Sequence, residues 1–291
     1  MLQLQGTIVA LITPFKDGAV DEAAYRQLIE FQIASGVDGI VPCGTTGESA
    51  TLSHEEHRRV IQICIEQVAG RVPVIAGTGS NSTEEAISLT ENAMKDGADA
   101  ALVVTPYYVK PSQEGLYQHY MELAKIGIPI VLYNVPGRCG VDMVPATVAR
   151  LAVEKNIIAI KDATGNMSVA SEIRRLCGDT ITLLSGDDFT ALPQILLGGK
   201  GVISVIANII PSEWSAMTHA ALKGDWQSAV AIHDRYFHIN NLLYLDANPI
   251  PVKTAVSLMG KCGGDFRLPL CRMNEGNHGK LSAEMQRLGL I

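Results

Sequence analysis

Lys161 ends the apolar run Ile157-Ile158-Ala159-Ile160, and Asp162-Ala-Thr-Gly supplies turn chemistry immediately after it. The β-branched content and length of the run predict a strand buried on both faces, as in a parallel sheet. The lysine then sits at the carboxyl end of a buried strand, where ligands bind in barrels and open α/β sheets. Desolvation there favours the neutral form of an amine, and the neutral amine is the form that attacks a carbonyl. The alternative is a solvated lysine at a strand end, the commonest setting for this residue type.

Other candidate groups stand at comparable places. Tyr133 ends Ile130-Val-Leu-Tyr, where a phenol can shuttle protons to and from a carbinolamine oxygen; a core tyrosine with a buried partner reads the same way. Gly44-Thr45-Thr46-Gly47-Glu48 lies between an apolar run and a helix, so its N–H groups and hydroxyls either cradle an anion or form an ordinary glycine-rich turn. It lacks the lysine of a P-loop, which points to a carboxylate rather than a nucleotide. Arg138, in Asn134-Val-Pro-Gly-Arg, can fork onto a carboxylate or serve as a surface charge.

Positioning these groups requires a scaffold, and the chain alternates apolar strand-like runs with amphipathic stretches. Strands are predicted near residues 8–12, 39–43, 72–76, 100–105, 129–133, 157–161, 181–184 and 201–206. Helices are predicted over 21–34, from a Ser53/Glu56 capping box, and over 83–95, 112–125, 144–153, 168–176 and 189–197. Strict alternation implies a parallel sheet with right-handed crossovers, and eight such units close into a (β/α)8 TIM barrel. Beyond Asp225 the strand signal vanishes and helical periodicity continues, so residues 1–224 are expected to form the α/β barrel and 225–291 a small helical extension. In that barrel Thr45, Thr46, Tyr107, Tyr108, Tyr133, Arg138, Lys161, Gly186 and Ile203 share one mouth. A dinucleotide site has no support, because no Gly-x-Gly-x-x-Gly turn follows the first strand.

Composition narrows the partners. Hydrophobic residues make up 47% and aromatics 5%, so aliphatic side chains must fill the core. A net charge of −7 without long like-charge blocks argues against nucleic acid or an anionic membrane as the main partner. No apolar run approaches the ~18 residues of a membrane span. Six scattered cysteines without a Cys-x-x-Cys pair suggest reduced thiols and a cytoplasmic location. His54 and His57 share a helix face at i, i+3, but no third metal ligand is evident, and a solvated face is the alternative.

The motifs Gly44-Thr-Thr-Gly-Glu-Ser, Gly77-Thr-Gly, Val104-Thr-Pro-Tyr-Tyr, Tyr133-Asn-Val-Pro, Gly137-Arg, Ile160-Lys-Asp-Ala-Thr-Gly, Ser185-Gly-Asp-Asp, Gly201-Val-Ile-Ser-Val and Asn248-Pro-Ile-Pro-Val-Lys occur in this order along nearly the whole chain. Together they resemble the lysine-dependent pyruvate aldolase superfamily, most closely its 4-hydroxy-tetrahydrodipicolinate (dihydrodipicolinate) synthase family. The stretch after Lys261 looks loosely matched.

The resemblance implies that Lys161 forms a Schiff base with pyruvate, whose enamine attacks L-aspartate 4-semialdehyde, with no cofactor and no metal. It assigns a hydroxyl relay to Tyr133, Thr45 and Tyr108, the last reaching in from a neighbouring subunit. Thr46 would hold the pyruvate carboxylate, Arg138 the semialdehyde carboxylate, and Gly186 and Ile203 would shape the pocket. It further implies a homotetramer built as a dimer of dimers, and feedback inhibition by L-lysine bound at Ser49, Ala50, His54, His57, Asn81, Glu85 and Tyr107. The competing expectations are a sister aldolase acting on a sugar acid, a non-catalytic amino-acid-binding barrel, and metal-dependent aldol chemistry.

Overall fold

The computed structural model describes residues 2–291. Eight parallel strands form one sheet: β1 (Gly6–Ala10), β4 (Gly39–Val41), β5 (Ile75–Gly77), β6 (Ala100–Val104), β7 (Ile130–Asn134), β8 (Ile157–Asp162), β9 (Thr182–Ser185) and β10 (Gly201–Ser204). Their spatial order is β4-β1-β10-β9-β8-β7-β6-β5. The two ends meet at an Ile40–Val74 bridge, where Ile40 N donates to Pro73 O (3.0 Å) and Gly77 N to Pro42 O (2.9 Å). These bonds close the sheet into the expected (β/α)8 barrel and leave no open edge.

Helices follow the strands in turn: α1 (Glu22–Ala34), α2 (His54–Val68), α3 (Thr83–Asp96), α4 (Gln113–Ala124), the single turn α5 (Pro136–Cys139), α6 (Pro145–Leu151), α7 (Met167–Cys177), α8 (Ala191–Leu196) and α9 (Pro211–Leu222). Local chemistry starts several of them. Ser53 and Glu56 form the predicted reciprocal capping box on α2, and Asp21, Ser82 and Ser112 accept from the third residue beyond them. Each such cap stabilises its helix by about 1 kcal/mol. After Asp225 the chain is helical, with α10 (Trp226–Leu242), α11 (Ile250–Leu258) and α12 (Glu275–Leu288).

A hairpin and a barrel helix are among the elements not legible beforehand. The short hairpin β2 (Phe15–Lys16) and β3 (Ala19–Val20) turns on Asp17-Gly18, both at positive φ (52° and 80°), which is the signature of a type I′ turn. Helix α9 gave no amphipathic stripe because polar residues occupy part of its buried face: Thr218 and Ser215 are buried, and Thr218 Oγ1 meets Thr7 Oγ1 at 2.9 Å.

The core has two layers. Inside the cylinder Ile8, Ala10, Val41, Ile75, Leu102, Val131, Tyr133, Ala159, Leu184 and Ile203 pack together. Their sequence neighbours, such as Val9, Val103, Leu132 and Ile160, face the helices instead. Because strand side chains alternate, Val131 with Tyr133 and Ala159 with Lys161 share the inward face. No helix among the described residues is long and apolar enough to cross a membrane.

Candidate active site at the barrel mouth

Lys161 and Tyr133 are direct neighbours across the β7–β8 ladder, paired in register. Both are buried, and Lys161 Nζ lies 4.2 Å from the centroid of the Tyr133 ring. Period-two alternation and sheet register thus bring an amine and a phenol together without any flexible segment between them. Gly186 leaves the space beside the lysine: a Cβ there would stand 2.9 Å from Lys161 Cγ and 2.7 Å from Ala163 Cβ. Its N–H donates to Asp162 O (2.7 Å), which holds that close approach. Ile203 belongs to the inner apolar layer with Tyr133 and Leu184.

The carboxyl groups around this mouth are tied down. Asp162 accepts from Thr164 N (3.1 Å) and Gln194 Nε2 (3.2 Å), and burial raises its pKa. Asp188 accepts from Val205 N, Ile206 N and Trp214 Nε1, and burial likewise pushes it up. Tyr244, 40% exposed, lies tilted against Phe189 with ring centroids 5.3 Å apart.

A cavity of about 430 Å³ lies beside the mouth; its lining includes Thr45, Glu48, Val135, Arg138, Cys139 and Asn248 but not Lys161 or Tyr133. Thr46 is buried and its Oγ1 accepts from Asn248 Nδ2 (3.1 Å), while Arg138 Nη2 donates to Asn248 O (3.2 Å). Asn248 is therefore a site residue that the strand-end reasoning missed. Its motif, Asn-Pro-Ile-Pro-Val-Lys, was visible, but it stands before α11 in the helical region rather than at a strand end.

The same cavity continues to Ser49, Ala50, His54, His57, Glu85 and Tyr107. Asn81 lies in the bend before α3, outside that lining. His54 Nε2 meets Glu85 Oε1 at 2.8 Å, and Ser80 Oγ donates to the other carboxylate oxygen. The Ser80 bond, opposed by partial burial and aided by His54, holds the Glu85 carboxyl below its usual range. The two histidines do not behave alike. His54 is exposed, whereas His57 is buried, donates from Nε2 to Gly77 O (2.9 Å), and has its pKa lowered by burial. A shared solvated face is thereby corrected: the second histidine is a neutral inner wall. Among the described residues no group of three or more His, Cys, Asp or Glu is placed to hold a metal ion.

Tyr108 stands apart from the cavity, 86% exposed on the loop after β6 and at positive φ (70°). Its backbone is fixed by a bond from Tyr108 N to Cys139 O (3.3 Å) while its ring projects into solvent.

Comparison with known proteins agrees with this geometry. The profile of the dihydrodipicolinate synthetase family matches residues 3–288, including the stretch after Lys261 where the motifs gave out. The 4-hydroxy-tetrahydrodipicolinate synthase of Citrifermentans bemidjiense is 58% identical over 288 residues, 99% of each chain. Among solved structures, dihydrodipicolinate synthase from Acinetobacter baumannii complexed with pyruvate superposes with a TM-score of 0.97 at 46% identity, covering 99% of this chain and 100% of that one. The synthase from Cyanidioschyzon merolae with lysine bound gives 0.96 at 40% identity, covering 99% of each.

Proposed function

The chain belongs to the dihydrodipicolinate synthetase family, and on that premise we infer how its residues perform the condensation of pyruvate with L-aspartate 4-semialdehyde to 4-hydroxy-tetrahydrodipicolinate. The observation that carries the reading is the buried Lys161 amine against the Tyr133 ring, with Gly186 permitting the backbone's close approach to the lysine side chain.

Lys161 Nζ attacks the keto carbon of pyruvate, the carbonyl oxygen takes up protons and leaves as water, and an imine remains. The protonated imine is an electron sink, so the methyl group loses a proton to give an enamine near neutral pH. The enamine carbon attacks the aldehyde carbon, whose oxygen takes a proton and becomes the hydroxyl of the product. The semialdehyde's own amine then adds to the imine carbon, closing the ring and releasing Lys161.

Tyr133 and Thr45 move the protons in this scheme, Tyr133 because its phenol shares the inward face with Lys161. Thr46 holds the pyruvate carboxylate and Arg138 that of the semialdehyde, a planar fork suited to such an anion. Tyr108 completes the relay from a neighbouring subunit, and its exposed ring on a fixed backbone suits that role. The assembly is a homotetramer, a dimer of dimers, located in the cytoplasm. Residues 1–224 form its catalytic barrel and 225–291 its helical domain. L-Lysine inhibits from the other end of the cavity, where Ser49, Ala50, His54, His57, Glu85 and Tyr107 receive it, with Asn81 reaching in from outside the lining and the Glu85 carboxylate pairing with an ammonium group.

Borohydride reduction of the protein with pyruvate, followed by peptide mass mapping, tests the core of this reading. The adduct is expected on the peptide containing Lys161, and an adduct on another lysine refutes the assignment. Turnover with N-acetylneuraminate in preference to pyruvate and aspartate semialdehyde would overturn the substrates. Sedimentation of the protein reads the tetramer directly.

A further inference from the structure

Lys253 of α11 is a charge that the mechanism does not use. Its side chain has no solvent exposure, and its Nζ donates to Glu48 Oε1 at 2.7 Å; the Glu48 side chain is equally buried. The ammonium lies 4.0 Å from the centroid of the Phe15 ring and 5.1 Å from that of Phe266. Taking two ions out of water is costly, and apolar replacement of a buried pair is often neutral or favourable, so stability alone is a poor reason for this pair.

Its location supplies a better one. Glu48 closes the Gly44–Glu48 loop, with Gly47 N donating to Gly44 O (3.0 Å) and Glu48 N to Thr45 O (3.1 Å). Any shift of Glu48 therefore moves the Thr45 backbone. The loop has little slack: Glu48 holds a left-handed φ of 55°, and a Cβ on Gly47 would stand 3.1 Å from both Cys43 N and Leu11 O. The segment from Asn248 to Lys253 grips this loop twice, Asn248 at Thr46 Oγ1 and Lys253 at Glu48. Two acceptors on the same residues, Glu48 Oε2 and Asn248 Oδ1, are buried without a partner. Both residues line the cavity.

We propose that Lys253, acting through Glu48, is a positioning residue: the buried pair fixes where Thr45 and Thr46 present their hydroxyls to the bound keto acid. The claim rests on the reading that these threonines face pyruvate. A displacement of the loop weakens the hold on the pyruvate carboxylate and misplaces the relay, while the semialdehyde, held by Arg138, is affected less.

The test compares wild type with K253M and with the double variant E48Q/K253M, by thermal unfolding and by steady-state kinetics with each substrate varied. K253M leaves a buried carboxylate without its partner and is expected to lose both Tm and activity. The double variant removes that unpaired charge, so its Tm is expected within about 3 °C of wild type, with pyruvate KM raised about tenfold, kcat lowered about tenfold and semialdehyde KM within about twofold. A double variant that recovers Tm together with wild-type pyruvate KM and kcat overturns the proposal, since the pair is then structural only. Should the double variant fail to fold, K253R decides, because it keeps the charge but displaces the donor: pyruvate KM raised more than about threefold supports the role, and unchanged kinetics refute it. Wild type assayed in parallel separates the two readings. If wild type does not turn over pyruvate with aspartate semialdehyde, the reaction assignment fails; if it does, unmoved variant kinetics sink the positioning role alone.

Discussion

The barrel mouth and the cavity beside it, whose lining includes neither Lys161 nor Tyr133, are built differently. At the inner end, in the mouth, Lys161 and Tyr133 stand on adjacent strands in fixed register, buried, with the sheet's hydrogen bonds setting their separation. At the outer end His54 and Glu85 stand on the first turns of two helices, partly exposed, and meet through a single polar contact. Sheet register suits covalent chemistry, which tolerates little misplacement of reacting atoms. Helix starts suit a ligand that must bind and leave, because exposed charged side chains can exchange partners with water. Between the ends, Glu48 and Asn248 tie the Gly44–Glu48 loop to the helical region.

The sharpest way to break this contrast is at the inner end. K161A is expected to lose about 10⁴-fold or more in kcat together with all borohydride trapping, because the nucleophile is gone. A variant that retains trapping would place the nucleophile elsewhere.

Y133F tests whether the neighbouring phenol does proton chemistry or only packs. It keeps the ring over Lys161, so a packing role predicts near-normal turnover, whereas proton transfer predicts a loss of about 10²–10³-fold in kcat.

Acid stability provides a reference outside the cavity. His119, buried on α4 and bonded through Nδ1 to Thr83 Oγ1 (2.9 Å), has its pKa pushed down from 6.5 to about 4 by burial. As pH falls the unfolded chain takes up this proton first, so stability is complete above about 6.5 and is lost as pH drops toward 4. The total loss is about 3 kcal/mol. His57, also lowered by burial, adds to the same acid loss. H119N is expected to show a smaller fall in Tm between pH 7.5 and pH 5 than wild type, and equal falls would refute the assignment.

The smallest effect belongs to the outer end. E85Q is expected to raise the L-lysine concentration for half-inhibition about tenfold, the loss of one charged hydrogen bond, with a kcat change far below that of Y133F. An unmoved inhibition curve would detach Glu85 from the inhibitor site.

Most of the inner end was legible in the sequence because it depends on short-range rules. An apolar run of four residues ending on a lysine predicts a buried strand end, and alternation decides which residues look inward. The Ser53/Glu56 capping box was equally local, two side chains satisfying each other's backbone within one turn. The outer end was less legible. Two histidines three residues apart look alike in sequence, yet one is exposed and the other donates to a carbonyl 20 positions away.

What the sequence by itself determined, then, is the order of strands and helices, the residues at strand ends and hence a closed parallel barrel with a lysine at its mouth. These follow from hydrophobic period and turn chemistry, which act over a few residues. What only the tertiary structure decided is the partnership of distant residues: Lys253 with Glu48 across 205 positions, Asn248 with Thr46 across 202 and the burial of His57. Such pairings are set by how helices dock over the barrel end, and no local pattern encodes which charge will be enclosed with which.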